Sequence, residues 1–260
     1  MPETPTQPEI VTVPCLKDNY AYLLHDPATG ATAVFDVPEA GPIEAALAER
    51  GWTLSDIVIT HHHWDHVDGV EALRAATGAQ VWGAAADAHR LPALDDALAE
   101  GDSLAIGGLQ GHVIDVSGHT LGHVAYHFPR ARAVFTADSL MALGCGRLFE
   151  GTPDQMWASL SKLAALPPDT LVCSGHEYTA GNARFAITID PDNPALMSRC
   201  KEVDGARAAN RPTVPSTLAE ELATNPFLRA ADPAIARRLD MAGAEPAAVF
   251  ARIRSLKDAF

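Results

Sequence analysis

Little in this chain of 260 residues is basic: 19 Lys and Arg stand against 33 Asp and Glu, a formal charge of -14. A balance that acidic argues against nonspecific nucleic acid and anionic membrane as partners, since both need a basic surface. It leaves room for a small anionic ligand in a local basic pocket. Cysteine is also sparse. Cys15, Cys145, Cys173 and Cys200 are scattered with no C-x-x-C pair, so the expectation is reduced thiols in a cytoplasmic protein and no disulfide framework. No apolar run reaches the ~18 residues of a membrane span. The opening MPETPTQPEI lacks the basic and apolar regions of a secretory leader, and its three prolines predict a loose tail. There is no repeat of fixed period.

What is present is a core-forming composition, 47% hydrophobic and 20% charged, enough for one large domain or a domain with an appendage. IVTVPC (10–15), YAYLLHD (20–26) and ATAVFDV (31–37) read as strands, and PIEAALAER as a helix that Gly51 closes. DIVIT (56–60) carries a short continuous apolar run, Ile57–Ile59, as a strand buried on both faces would. VEALRAATG is a helix ending at Gly78. AQVWGA (79–84), GLQGHVIDVSG (108–118), HVAYHF (123–128) and ARAVFTA (131–137) add strands. Beyond Gly175 the periodicity turns helical: a helix from near Ala180 through FAITI, then 195–209, 216–223, 232–242 and 245–259. The layout is an α/β domain followed by a smaller all-helical C-terminal domain.

The stretch THHHWDHVDG (60–69) follows DIVIT and spells H-x-H-x-D-H with His61, His63, Asp65 and His66. On an extended or turning backbone, positions two apart share a side, so His61 and His63 converge while Asp65 and His66 serve a second point. Open α/β sheets place their sites at this carboxyl-end rim. Imidazole and carboxylate are ligands for zinc, iron or manganese. One histidine would be an ordinary polar residue; four ligand types at this spacing after a strand point to metal. His119 in SGHTLGH, Asp138 in FTADS and His176 in CSGHEY each follow a strand-like run and have small neighbours (Gly118, Ala137, Gly175) that permit close backbone approach.

The order THHHWDH, GHT, FTAD, GHEYT resembles the metallo-β-lactamase superfamily. GCGRLFEGTPDQMWASLSKLAALPPDTLVCSGHEYT and VPSTLAEELATNPFLR resemble glyoxalase II, the hydroxyacylglutathione hydrolases, over nearly the whole chain. The resemblance implies an αββα sandwich over 1–177 and a helical glutathione-binding domain over 178–260. It implies two divalent cations, zinc first, with iron or manganese as alternatives. His61, His63 and His119 would hold one, Asp65, His66 and His176 the other, and Asp138 would bridge them. The implied reaction is hydrolysis of S-D-lactoylglutathione to D-lactate and glutathione, the second step of methylglyoxal detoxification. A hydroxide shared by the cations would attack the thioester carbonyl, with Asp65 and Asp138 as the catalytic carboxylates around it. The thiolate leaving group, with a thiol pKa of about 8.5, needs no protein general acid.

The same resemblance puts Arg147 and Phe149 of GCGRLFEG, Tyr178 of GHEYT, and Arg254 and Lys257 of RSLKDAF in contact with glutathione. Two positions depart from it. Phe149 stands where a tyrosine is expected and loses a hydroxyl, and Asp68 replaces the first glycine of the D-H-x-G-G turn, where a carboxylate favours a helix start. His62 is expected to point away from the metals. His123 is read as a non-ligand, and His25, His89, His112 and His127 as surface or strand residues. Cys145 and Cys173 are read as packing, and Asp36 as an orienter of a ligating histidine. Rival readings are a mono-iron persulfide dioxygenase, a superfamily nuclease and a non-catalytic binding module; the full ligand set and the acidic balance disfavour them. A monomer is expected, with neither nucleic acid nor membrane as partner.

Overall fold

The computed structural model describes residues 7–260; residues 1–6 of the expected tail lie outside it. Two compact units divide the chain. One holds the chain up to Asp115 and then Gly122–Phe135; the other holds Val116–Leu121 and Thr136–Phe260.

The first unit opens with a sheet in sequential order: β1 (Glu9–Cys15), β2 (Asn19–His25), β3 (Thr32–Phe35), β4 (Asp56–Val58), β5 (Gln80–Ala84) and β6 (Asp96–Leu98). The first three pair antiparallel through short turns, and from β3 onward the pairing is parallel. Parallel neighbours need crossovers, supplied by α1 (Ala40–Arg50) and by α2 (Trp64–Val67) with α3 (Val70–Thr77). Gly51 and Gly78 close α1 and α3 in left-handed conformation, as the sequence predicts. Strand β4 is buried at every residue, including Asp56, whose carboxylate accepts from Trp82 Nε1 at 2.8 Å and Ser55 Oγ at 2.6 Å. Val34, Ile57 and Val81 pack with Ile43 and Leu47 of α1 and Val70 and Leu73 of α3.

The antiparallel strands β7 (Ser103–Ile106), β8 (Leu109–Asp115), β9 (Val124–Phe128) and β10 (Ala133–Ala137) follow. Alternation turns Phe35 away from the helices, where it stacks on Phe135 with centroids 3.5 Å apart and meets Phe128 edge-on at 5.7 Å. An aromatic layer between two strand layers is a sandwich core. The sequence reading missed β6 and β7, whose DAL and SLAI segments are short and partly exposed. It also ran β8 on to Gly118, whereas Val116–Gly118 already lies beyond the last paired residue, Asp115.

The chain returns to the second unit within β10. There follow β11 (Leu140–Met141) and β12 (Gly144–Cys145) as a tight hairpin, then α4 (Pro153–Ala164), β13 (Leu171–Ser174), α5 (Thr179–Ile189), α6 (Pro194–Ala208), β14 (Ser216–Thr217), α7 (Leu218–Thr224), α8 (Pro233–Arg238) and α9 (Pro246–Ala259). A full capping box, Thr152 with Gln155, starts α4 behind Pro153. Phe185, Phe227 and Phe250 tie α5, the turn after α7 and α9 together at 5.8–6.1 Å. The helical expectation for this region is met with two differences: the helix expected over 232–242 stops at Arg238, and the segment at 216 does not start as helix. Ser216 and Thr217 form a two-residue strand against Val172 and Leu171, and the helix begins at Leu218 because Thr217 caps it with Glu220.

Candidate functional site

In the first unit, the donors lie just past β4. The chain leaves β4 extended and turns into the single helical turn α2, so His61 and His63 precede the turn while Asp65 and His66 ride on it. His61 Nε2 and His63 Nδ1 are 3.2 Å apart. Thr60 Oγ1 donates to Asp36 Oδ2 at 2.9 Å and so accepts from His61 Nδ1 at 3.0 Å, which leaves the Nε2 lone pair facing His63. Two imidazole nitrogens that close need a proton or a cation between them. On α2, His66 Nδ1 donates to Asp36 Oδ2 at 2.8 Å, so its Nε2 is the remaining donor atom. Asp36, His61 and His66 each bring a donor atom to within 4.8 Å of the other two.

Asp36 therefore fixes two histidines and the Thr60 N–H at 2.8 Å. Its own backbone takes φ 57°, a left-handed conformation uncommon outside glycine, asparagine and aspartate. Asp65 is held by Asn19, whose Nδ2 donates to both the Asp65 carboxylate and its carbonyl at 3.0 Å. His62 bonds Asp87 at 3.1 Å, and Arg90 holds the other oxygen of that carboxylate at 2.7 Å. His123 stacks on His61 at 4.6 Å. Nothing in the sequence marked Asn19 or Asp87, which meet their partners over separations of 46 and 25 residues.

The second unit carries three donors. The Asp138 carboxylate stands between two imidazoles: Oδ2 is 3.4 Å from His119 Nε2 and Oδ1 is 3.3 Å from His176 Nε2. His119 Nδ1 donates to the Arg147 carbonyl at 2.7 Å, so Nε2 is again the atom left for a cation. Ala137, just before Asp138, sits at φ 41°, a strained position for a residue with a Cβ. The Gly175 N–H donates to its carbonyl at 3.0 Å, linking the Asp138 and His176 loops. A Cβ at Gly146 would fall 3.1 Å from His119 Nδ1 and inside the Asp138 carbonyl, so glycine is required there. The donor chemistry fits divalent cations of borderline softness: imidazole Nε2 atoms whose Nδ1 partners are fixed, plus carboxylates.

Arg147 and Phe149 are 57% and 61% exposed, and Phe149 meets the His119 ring edge-on at 5.3 Å. Tyr178 stacks on His176 at 4.6 Å and 5°. Lys257 Nζ reaches the Gly181 carbonyl, and burial, followed by the nearby Arg254 and Arg184 charges, lowers its pKa. Arg254 differs from these: it is 5% exposed, donating to the Cys145 carbonyl at 3.0 Å and to Asp258 at 2.9 Å. Cys145 and Cys173 are buried; burial pushes the Cys145 thiol up to about 11 and Cys173 higher still. Asp68 is exposed between α2 and α3.

The metallo-β-lactamase superfamily model matches residues 20–176, and the model of the hydroxyacylglutathione hydrolase C-terminus matches 177–260. Hydroxyacylglutathione hydrolases of Jannaschia sp. (strain CCS1) and Ruegeria pomeroyi are 72% and 67% identical, each over 97% of this chain and 99% of the relative. Among solved structures, ETHE1 from Myxococcus xanthus matches with TM-score 0.66 and 25% identity over 96% of this chain and 90% of its own. TTHA1623 in a di-iron-bound form matches with TM-score 0.62 and 26% identity over 85% of this chain and 100% of its own.

Proposed function

The chain belongs to the hydroxyacylglutathione hydrolase family of the metallo-β-lactamase superfamily, and from that membership we propose that it hydrolyses S-D-lactoylglutathione to D-lactate and glutathione. It is a metal-dependent thioester hydrolase. Asp138 is the observation that carries the reading, a carboxylate set between two imidazoles and so within reach of a cation held on either side. We assign His61, His63 and His119 to one cation, Asp65, His66 and His176 to the second, and Asp138 to both. Zinc is the assigned metal, since imidazole and carboxylate donors suit it. Divalent cations held by these residues would supply Lewis acidity and lower the pKa of a coordinated water toward neutrality.

The chain's own groups prepare that chemistry. Asp36 and the Arg147 carbonyl fix the Nδ1–H tautomers of His66 and His119, so that Nε2 is the atom each buried ring can offer a cation. Asn19 holds Asp65 in one rotamer, which preserves its role beside the reacting water. Hydrolysis forms a C–O bond and breaks the C–S bond, and the glutathione thiolate leaves without a protein acid. Arg147 offers an exposed cation to a glutathione carboxylate, and the family resemblance assigns Phe149, Tyr178, Arg254 and Lys257 to contacts with the same glutathione moiety. In this reading residues 1–177 are catalytic and 178–260 serve the glutathione moiety. The described chain has no helix long and apolar enough to cross a membrane. A monomer acting in the cytoplasm suits the buried, reduced thiols.

The test is thioester absorbance loss from S-D-lactoylglutathione with zinc-loaded protein against a chelator-stripped control. The reading requires hydrolysis that disappears with the metal; equal rates in the two samples would overturn it.

A further inference from the structure

We propose that Arg254 is a positioning residue for metal ligation, fixing from the C-terminal helix the backbone collar that orients His119; this rests on the reading of His119 as a ligand.

The turn at 141–145 is buried and has Leu143 at φ 56°, a conformation a leucine adopts only when its surroundings hold it. The helical segments provide that hold one backbone group at a time. Asn182 donates to the Ala142 carbonyl at 3.0 Å, Glu221 accepts from Leu143 N–H at 2.9 Å, and Asn225 donates to the Met141 and Gly144 carbonyls at 3.0 and 2.9 Å. Arg254 completes the series at the Cys145 carbonyl, 3.0 Å away. It is the last of these anchors before the chain emerges at Arg147.

Residues 146–149 then surround His119 on several sides. The Arg147 carbonyl accepts its Nδ1–H, the Phe149 N–H donates to its carbonyl at 3.2 Å, and the Phe149 ring covers the imidazole edge. Gly146 lies against both Asp138 and His119, as its lack of room for a Cβ shows. A displaced Cys145 carbonyl therefore moves the acceptor that sets the His119 tautomer. The guanidinium that holds this carbonyl faces inward: both terminal nitrogens are engaged and its carbon lies 5.2 Å from the Phe227 ring centre. Asp258 adds a second coupling, since the oxygen that receives Arg254 also lies 3.5 Å from Arg147 Nε.

The two roles separate in zinc affinity. A contact to glutathione acts on KM and leaves zinc binding alone, whereas a residue that orients a ligand acts on zinc binding before any substrate is present. Arg254→Met, Arg254→Lys and Asp258→Asn are compared with wild type by competition with a chromophoric zinc chelator and by steady-state hydrolysis of S-D-lactoylglutathione. The positioning role predicts that Arg254→Met weakens zinc about 10–100-fold, the range for groups that hold a ligand in place. It also predicts a fall in kcat larger than any rise in KM. Arg254→Lys, which restores a donor, should regain most of the affinity, and Asp258→Asn should show the same pattern at smaller amplitude. A rise in KM with wild-type zinc affinity in the variants overturns the proposal. Should Arg254→Met not fold, unchanged zinc affinity in Asp258→Asn overturns it equally. If wild-type protein itself binds no zinc, the proposed function fails instead, so the two failures are told apart.

Discussion

Replacing Gly146 with alanine adds one methyl group and should disable the enzyme. The new Cβ would lie 1.9 Å from the Asp138 carbonyl oxygen and 3.1 Å from His119 Nδ1. Carbon and carbonyl oxygen approach to about 3.3 Å at closest, so the backbone must yield by about 1.4 Å. That shift breaks the 3.0 Å bond from Gly146 N–H to the Ser139 carbonyl, a net loss of about 1 kcal/mol. Forcing the methyl into packed surroundings costs a further ~1–3 kcal/mol. Together these lower the thermal midpoint by roughly 5–15 °C for a chain of this size. The effect on turnover should be larger, because a displacement of about 1 Å at a catalytic group costs about 100-fold. The assay pairs a melt with S-D-lactoylglutathione hydrolysis at 25 °C, where the variant remains folded. Near-wild-type turnover and midpoint would show that the Gly146 backbone does not constrain Asp138 and His119, and would refute the reasoning.

Asp36→Asn removes the anionic acceptor for His66 Nδ1 and Thr60 and should weaken metal binding about 10–100-fold in a chelator competition; unchanged affinity would mean Asp36 has no such role. Burial raises the Cys15 and Cys145 thiols to about 11, so at pH 8 the reactive thiolate is a fraction of about one in a thousand. Native protein should resist iodoacetamide and keep its activity, with alkylation appearing as pH rises toward 11 or on unfolding; rapid inactivation at pH 8 contradicts this. Thr152→Ala should lose about 1 kcal/mol with the capping box of α4, seen as a lower denaturation midpoint with unchanged kcat.

The parts of this fold that could be read in the sequence are those in which one segment carries its own signal. DIVIT announced a fully buried strand, Gly51 and Gly78 announced helix ends, and H-x-H-x-D-H announced a cluster of donors by its spacing alone. The C-terminal helices were legible from periodicity, but the Ser216–Thr217 strand was not, because two residues carry no period. The groups that fix the donors were mostly hidden. Asn19 holds Asp65 over 46 residues and Arg254 holds the Cys145 carbonyl over 109, separations that local patterns do not encode. Asp36 was the exception, read as an orienter from its position at the end of a strand, and its carboxylate does bond His66 across 30 residues. The basic C-terminal motif suggested substrate contacts; the burial of Arg254, which no local pattern signals, directs that guanidinium to the protein's own backbone.

The most direct test of the account is a metal titration of chelator-stripped protein, following bound zinc by elemental analysis and thioester hydrolysis in the same samples. Two cations acting together predict that binding saturates at two equivalents per chain and that activity reaches its maximum with the second. Full activity at one equivalent, or two bound equivalents without hydrolysis, would contradict it.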